Sequence, residues 1–248
     1  MTGFSRRAML AGSGGLLLSG CDRIVASPTA KSVLSLGEKA SRSAQRLVAG
    51  NALAPEFSAA DISPVFRVNG NTRPTAAAYL AQMERGFADW QLRVDGLVAR
   101  PLALSMAQLR GLPQRTQITR HDCVEGWSAI AQWTGVPLAA LLHAAQPLTQ
   151  ARYAVFHCAD DFSGTPYYES IDLTEALHPQ TILAHTMNGQ PLSVGHGAPL
   201  RLRVERQLGY KQAKYVMRVE LAATLAGLHG GQGGYWEDHS GYQWWAGI

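Results

Sequence analysis

Cysteine is nearly missing from this chain. Three residues in 248, Cys21, Cys123 and Cys158, are too few for a disulfide-built scaffold. No C-x-x-C and no C-x-x-C-H occurs, which excludes a zinc ribbon and a covalently attached haem. G-x-G-x-x-G is absent, so a Rossmann dinucleotide site is not encoded, and H-E-x-x-H is absent, so neither is that zinc spacing. There is no internal repeat, and no apolar run reaches the roughly 18–20 residues that crossing a bilayer requires. The formal net charge is only +4. Two of those charges, Arg6 and Arg7, lie in a segment expected to be removed, and the remainder is too weak for a nucleic-acid surface.

What is present begins with an address. Residues 1–21 run from a basic pair through the short apolar stretch Ala8–Leu18 to small residues, the layout of a secretory signal. Ser5-Arg6-Arg7-Ala8-Met9-Leu10 resembles the twin-arginine export motif, with Met9 where an aromatic residue or Leu is usual. Leu18-Ser19-Gly20-Cys21 resembles a lipoprotein box, with Cys21 as the acylated mature N-terminus and Asp22 favouring retention at the inner membrane. The expected location is therefore the periplasm, with a lipid anchor.

Residues 22–64 are expected to form a helical arm and linker. Val33, Leu36, Ala40, Ala44, Leu47 and Val48 recur at helical spacing before Gly50, and loop-like sequence follows to Pro64. A folded domain is expected over 65–248. Val65–Val68 reads as a strand entering the Asn69-Gly70-Asn71 turn. Further strands are expected near Trp90–Val94, Gln114–Arg120, Arg152–Cys158, Tyr167–Ile171, Thr181–Met187, Leu200–Val204 and Lys214–Leu221. Ser105 and Asp172 are placed to cap short helices, and Asn188-Gly189 is a hairpin turn. Many short strands with a few short helices, without regular βαβ alternation, indicate a β-rich mixed α+β domain.

Cys123 sits between His121-Asp122 and Val124-Glu125-Gly126-Trp127, at an expected strand-to-helix junction between the extended run before it and the helical apolar run Val136–Ala145, and three chemistries fit a thiol there. A nucleophile needs a base, but His121, two residues back on a strand, lies about 7 Å away on the same face. A disulfide with Cys158 suits an oxidising compartment. A thiolate ligand needs a soft metal, and no other protein ligand is spaced for zinc around it. A second informative stretch, His196 to Lys214, carries five cationic side chains against one acid, Glu205. Arg forks and ammonium groups beside a glycine turn suit a phosphate; a solvated, charge-protected strand edge suits the same composition.

Cys123-Val-Glu-Gly-Trp-Ser, then His196-Gly-Ala-Pro-Leu-Arg201, then Gly209-Tyr-Lys-Gln-Ala-Lys214 occur in one order. Together they resemble the molybdopterin-binding domain of the sulfite oxidase superfamily. The likeness is closest to its bacterial periplasmic branch, which includes the methionine sulfoxide reductase molybdoenzymes, and it spans roughly Val65 to Leu221. It implies a β-rich sulfite-oxidase-type fold over 65–248 and the molybdenum–molybdopterin cofactor, with Cys123 as the metal's protein ligand. It implies a pterin contact at Asn69 and holds by His196 and Arg201 on pterin and phosphate. Gly209, Lys211 and Lys214 match its phosphate-binding turn. Arg120 and His121 become candidate catalytic residues of the pocket, whereas Asp122 and Glu125 read as supports.

The implied reaction is two-electron oxygen-atom transfer on a small sulfur- or nitrogen-containing substrate, or S-oxide reduction specifically. A phosphate-binding lipoprotein without turnover is the reading from another class. Two departures bear on the substrate. The arginines of a sulfite pocket have no clear equivalent, and Asp122 stands where the reductase branch usually carries Arg. With no haem motif present, electrons are expected to pass through a separate cytochrome b or c. The tail from Gly230 to Ile248, with its aromatics among glycines, suits a lid, a docking surface or a packed loop. His143, His157, His178, His185 and His229 show no metal spacing and read as structural.

Overall fold

The computed structural model describes residues 27–248, so the expected export motif and Cys21 lie outside the described residues. The chain divides into two units, 1–51 and 52–248. In the first, helix α1 (Pro28–Ala49) ends where Gly50 takes a left-handed conformation, as its apolar spacing and closing glycine predict. No helix among the described residues is long and apolar enough to cross a membrane.

The second unit is built on two sheets. In the first, β1 (Gln91–Gly96), β2 (Leu102–Ser105), β5 (Tyr153–Phe162), β6 (Thr165–Asp172) and β10 (Val216–Ala222) lie in the order β2-β1-β10-β5-β6. Only β1 and β10 run parallel. In the second, β3 (Arg115–Asp122) pairs with β4 (Ser128–Pro137), which pairs with β7 (Ile182–Met187). The short β8 (Gln190–Pro191) and β9 (Arg201–Arg203) both pair with β7.

Between these strands stand α2 (Ala77–Glu84), α3 (Met106–Gly111), α4 (Leu138–Ala145) and α5 (Leu173–Ala176), with α6 (Tyr235–Ser240) in the tail. The Ser105 Oγ accepts from the Gln108 amide and Asp172 Oδ1 from the Glu175 amide, the caps their spacing predicts. Trp90, just before β1, and Leu92 and Val94 of β1 pack with Leu138, Leu141 and Leu142 of α4 and with Leu183 and Leu202 of the other sheet in one apolar core.

Three local expectations are corrected. Val65–Val68 is not a strand: Phe66 is fixed by tertiary contacts, its ring packing among His121, Trp127, Trp133 and His196. Residues 52–64 belong to the body although they are mostly loop, because the Phe57 amide donates to Ile118 O and the Ser63 amide to Ile130 O. Finally, the cysteine stretch does not pass from strand to helix. β4 intervenes, its side chains alternating between buried and half-exposed, and α4 starts only after Pro137. Cys123 therefore sits in a β-hairpin turn.

Gly135 lies where β4 and β7 lose register, and a Cβ there would stand 2.2 Å from Leu183 O. Backbone cannot yield as a flexible side chain does. Gly135→Ala is expected to destabilise the protein by about 1–3 kcal/mol, read as a lowered urea midpoint with unchanged slope.

Candidate active site

The turn between β3 and β4 closes on itself. The Cys123 amide donates to Trp127 O (2.9 Å) and the Gly126 amide to Cys123 O (3.1 Å). This holds the Cys123 side chain, 9% exposed, on the wall of a cleft. Asn69 Nδ2 approaches Sγ at 3.7 Å, and the Glu125 backbone also donates to it. Burial and the Glu125 charge nevertheless raise the thiol above its ordinary value, so the free side chain keeps its proton at neutral pH. That is the wrong setting for a nucleophile. A metal displaces the proton, and the two donors then stabilise the thiolate. Cys123 and Cys158 are both free, so the disulfide reading also falls. Among the described residues no group of three or more His, Cys, Asp or Glu could hold a metal, so an ion bound here must bring other ligands with it.

Opposite the thiol the cleft is lined by Arg201 and Lys214. Arg201 is 1% exposed and has no carboxylate within ion-pair distance among the described residues. Its Nη1 reaches His196 O at 3.4 Å, its Nε has no partner, and its guanidinium lies 5.3 Å from the Trp133 ring centroid. Burial, aggravated by neighbouring Arg203, pulls it down to about 9. Lys214 spends its ammonium on backbone carbonyls, at 2.7 Å from Asn69 O, 3.0 Å from Gly195 O, and on Asn71 O. Burial and the Arg201 charge lower it to about 7. A buried, uncompensated cation with spare N–H donors beside a cavity calls for an anion.

Gly209 also lines this cleft, at the head of the 3₁₀ turn Gly209–Lys211. A Cβ there would stand 2.4 Å from the His121 ring, so only glycine lets the turn close over the imidazole. The remaining expected residues are placed differently. His121 is fully buried on the inner face of β3, touching Gln212 and Arg203, and burial drives it well below its usual value. Arg120, one residue earlier on the outer face, is exposed and paired with Asp122 at 2.9 Å. Neither lines the cleft. His196 hydrogen-bonds Ser193 Oγ and Phe66 O, buttressing the loop behind Arg201.

Lys211 is turned away, in a fully buried cluster 2.5 Å from both Glu169 Oε2 and Glu237 Oε1. Burial alone would lower its ammonium, but the two carboxylates outweigh burial and hold it above the ordinary lysine value. The expected phosphate contacts thus divide. Arg201 and Gly209 face the cleft, Lys214 clamps the Asn69–Asn71 loop at its edge, and Lys211 is a structural anchor.

Several lining residues carried no earlier assignment: Asn71, Asp160, Phe162, Tyr167, Gln212 and, from the tail, Trp236 and Tyr242. Asp160 Oδ2 accepts from Asn71 Nδ2 (3.0 Å) while Oδ1 has no partner, and burial pushes its carboxyl up to about 6. The adjacent acids Asp160-Asp161 inside a strand were the readable signal.

The oxidoreductase molybdopterin-binding domain family matches residues 79–226. The chain belongs to that family. It is 40% identical over 195 residues to a protein of Azospira oryzae named as a protein-methionine-sulfoxide reductase subunit, YedZ1, covering 77% of this chain and 70% of that one. It is 34% identical over 165 residues to the protein-methionine-sulfoxide reductase catalytic subunit MsrP of Xanthomonas campestris, covering 62% of this chain and 50% of that one. The alignment thus spans about half the length of the MsrP relatives. Among solved structures, the sulfane dehydrogenase SoxCD of Paracoccus pantotrophus superposes with a TM-score of 0.50 at 24% identity, over 55% of this chain and 39% of that one.

Family and fold agree with the β-rich α+β domain of the sulfite oxidase superfamily, and the chain is an enzyme of that superfamily, an oxidoreductase with the molybdenum cofactor. The residues fit that group. The cleft offers one thiol, a guanidinium without an ion-paired carboxylate and a glycine turn pressed against an imidazole, which suit a metal that arrives with an anionic carrier.

The cations make the fit measurable without turnover. Lys214 has an ordinary value of 10.5 and a folded value of about 7. Between those values the unfolded chain binds more protons than the folded one, so stability rises with pH there. Cofactor-free protein is expected to gain up to about 1.4 kcal/mol per pH unit from about pH 7 to about pH 8.5. Lys214→Met flattens that slope, and so does the bound anionic cofactor, which restores the charged form. Urea midpoints across this range, for both proteins and both loading states, are the measurement.

Proposed function

We propose that this chain is the catalytic subunit of a periplasmic S-oxide reductase. The reaction is R₂SO + 2H⁺ + 2e⁻ → R₂S + H₂O, with the electrons delivered by a separate cytochrome b or c. The cofactor, bound with Cys123 as its protein ligand, supplies the two-electron oxygen-atom-transfer chemistry. Arg201 and the Gly209 backbone hold its anionic end, Lys214 keeps Asn69 and Asn71 in place around it, and His196 supports Arg201. His121 acts from behind, as the surface against which the glycine turn packs, and Arg120 lies outside the cleft.

The observation that carries the substrate class is the sign of the remaining lining. Once Arg201 and Lys214 are committed to the cofactor, the lining side chains are the Glu125 and Asp160 carboxylates, amides and aromatic rings. A sulfite dianion would meet two acids and no spare cation, whereas a neutral S-oxide meets no such penalty. The relatives named as methionine sulfoxide reductases point the same way. Asp160, whose carboxyl burial pushes up to about 6 and whose Oδ1 is unpartnered, is the cleft's own candidate to relay one of the two protons.

The location rests on the residues that carry the address. Arg6-Arg7 suits export in the folded, cofactor-loaded state, and Cys21 suits acylation, which would leave the enzyme tethered at the inner membrane. Cys21→Ser is expected to move the protein from the membrane to the soluble periplasmic fraction on cell fractionation.

Protein purified from a host that makes the cofactor is expected to hold one molybdenum per chain by metal analysis, and Cys123→Ser to hold less than a tenth of that. With reduced artificial carriers the loaded enzyme should consume S-oxides, and with oxidised carriers it should leave sulfite untouched. Sulfite oxidation as the faster reaction would replace the reductase reading. A folded, metal-free protein from such a host would instead favour the non-catalytic binder.

A further inference from the structure

The tail lies beyond the stretch that matches the family, which ends at residue 226. It nevertheless lines the same cleft as Cys123, through Trp236 and Tyr242. Phe162 of β5 packs edge-on against Trp236 at 5.1 Å, and Trp236 stacks on Tyr242 at 5.9 Å. Tyr242 in turn meets Tyr210 at 5.0 Å. Tyr242 is 37% exposed and Val124, beside the thiol, 44%. The rings thus run from the interior of the cleft to its mouth.

This wall is fastened rather than draped. Glu237, next to Trp236, is ion-paired with buried Lys211. Asp238 accepts from the Tyr168 hydroxyl and from the Gly230 and Gln232 amides. The Trp244 indole donates to Ser170 Oγ at 2.8 Å, and the Leu208 amide donates to Ala246 O at 2.9 Å. A loop that merely packed against the surface would not need a buried three-charge cluster to hold it. An aromatic surface held at fixed geometry beside a reacting centre is a recognition surface.

We infer that the C-terminal segment 235–242 is part of the substrate site. Trp236 and Tyr242, with Phe162 and Val124, receive the organic arm of the substrate, so the enzyme selects S-oxides bearing a bulky apolar or aryl substituent over small or anionic ones. The inference rests on the S-oxide reading of the cleft. The wall presents no cation to a carboxylate-bearing arm, and Glu125 and Asp160 oppose one. A flat arm gains by packing on rings already in place, with little ordering cost.

The test uses loaded enzyme and two probes, methyl p-tolyl sulfoxide and dimethyl sulfoxide, in wild type, Trp236→Ala, Trp236→Leu and Tyr242→Ala. Wild type should show a kcat/KM at least about tenfold higher for the aryl sulfoxide. Each variant should lose most of that ratio, through KM rather than kcat, with molybdenum content as in wild type. A parallel calorimetric titration with methyl p-tolyl sulfone, which cannot be reduced in this way, should show binding at least about tenfold weaker in the Trp236 variants. Tyr242→Ala, at a partly exposed position, guards against a folding failure at Trp236. Ratios within threefold of wild type in folded, loaded variants, unchanged sulfone binding, or a wild type that does not bind the sulfone would overturn the inference. A wild type that binds the sulfone but reduces neither sulfoxide would overturn the reductase reading alone, and the sulfone titration would then decide the wall by itself.

Discussion

A guanidinium buried without a carboxylate is the constraint on which the rest of this structure turns. Arg201 emerges on β9, the short strand paired to β7, and 1% of it reaches solvent. Its neighbour Arg203 is neutralised by Glu205 at 2.5 Å, so the absence of an acid beside Arg201 is local and specific. A buried charge of this kind is costly unless something answers it. The Trp133 ring and the His196 carbonyl answer part of it. The cleft that Arg201 lines is held in shape by the surrounding elements. Tyr79 fixes the chain at Ala198 O, Tyr215 fixes Asn71 O, and Tyr167 fixes Tyr210 O. Three hydroxyls, from α2, β6 and the bend before β10, thus pin segments around the cleft.

Much of this was legible in the chain, for identifiable reasons. Strands with strong alternation, such as β1 and β3, and helices with a capping residue at the right spacing declared themselves locally. The cysteine motif and the basic stretch were legible as chemistry because few residue types serve that purpose. What failed was long-range. β4 is rich in alanine and polar residues, Ser-Ala-Ile-Ala-Gln-Trp-Thr, and becomes a strand because β3 and β7 flank it. Its presence turns a strand-to-helix junction into a hairpin. α2, an alanine-rich segment with no capping side chain, offered only propensity. Lys211 looked like a phosphate ligand because its counter-charges, Glu169 and Glu237, are remote in sequence, and no spacing rule links them.

That mistaken lysine is the more instructive case, because its true partners couple two parts of the molecule. Glu169 comes from β6 and Glu237 from the tail helix, and burial raises the Glu169 carboxyl well above its normal range. Protonated or shared, the cluster avoids placing two full negative charges against one positive charge in a dry interior. It joins the glycine turn at Gly209 to α6, so the group that approaches His121 and the rings that flank the cleft are fixed by one set of contacts. The glycine turn and the tail's aromatic rings are therefore not independent of one another.

The two sides of the cleft nevertheless differ in kind. Arg201 and Lys214 bring buried positive charge to the lining, with Asp160 beside Asn71 and Lys214, whereas Trp236 and Tyr242 of the tail bring aromatic rings. Low dielectric amplifies both statements, because a charge in the cleft is felt over a longer distance than it would be in water. A neutral, polarised S-oxide is the substrate class that we propose for such a site. An anionic substrate would compete with the cofactor for Arg201 and would meet Glu125 and Asp160 elsewhere in the lining. In the proposed reading, selectivity then falls to shape and apolar contact, which Trp236 and Tyr242 of the tail supply together with Val124 and Phe162 of the matched stretch.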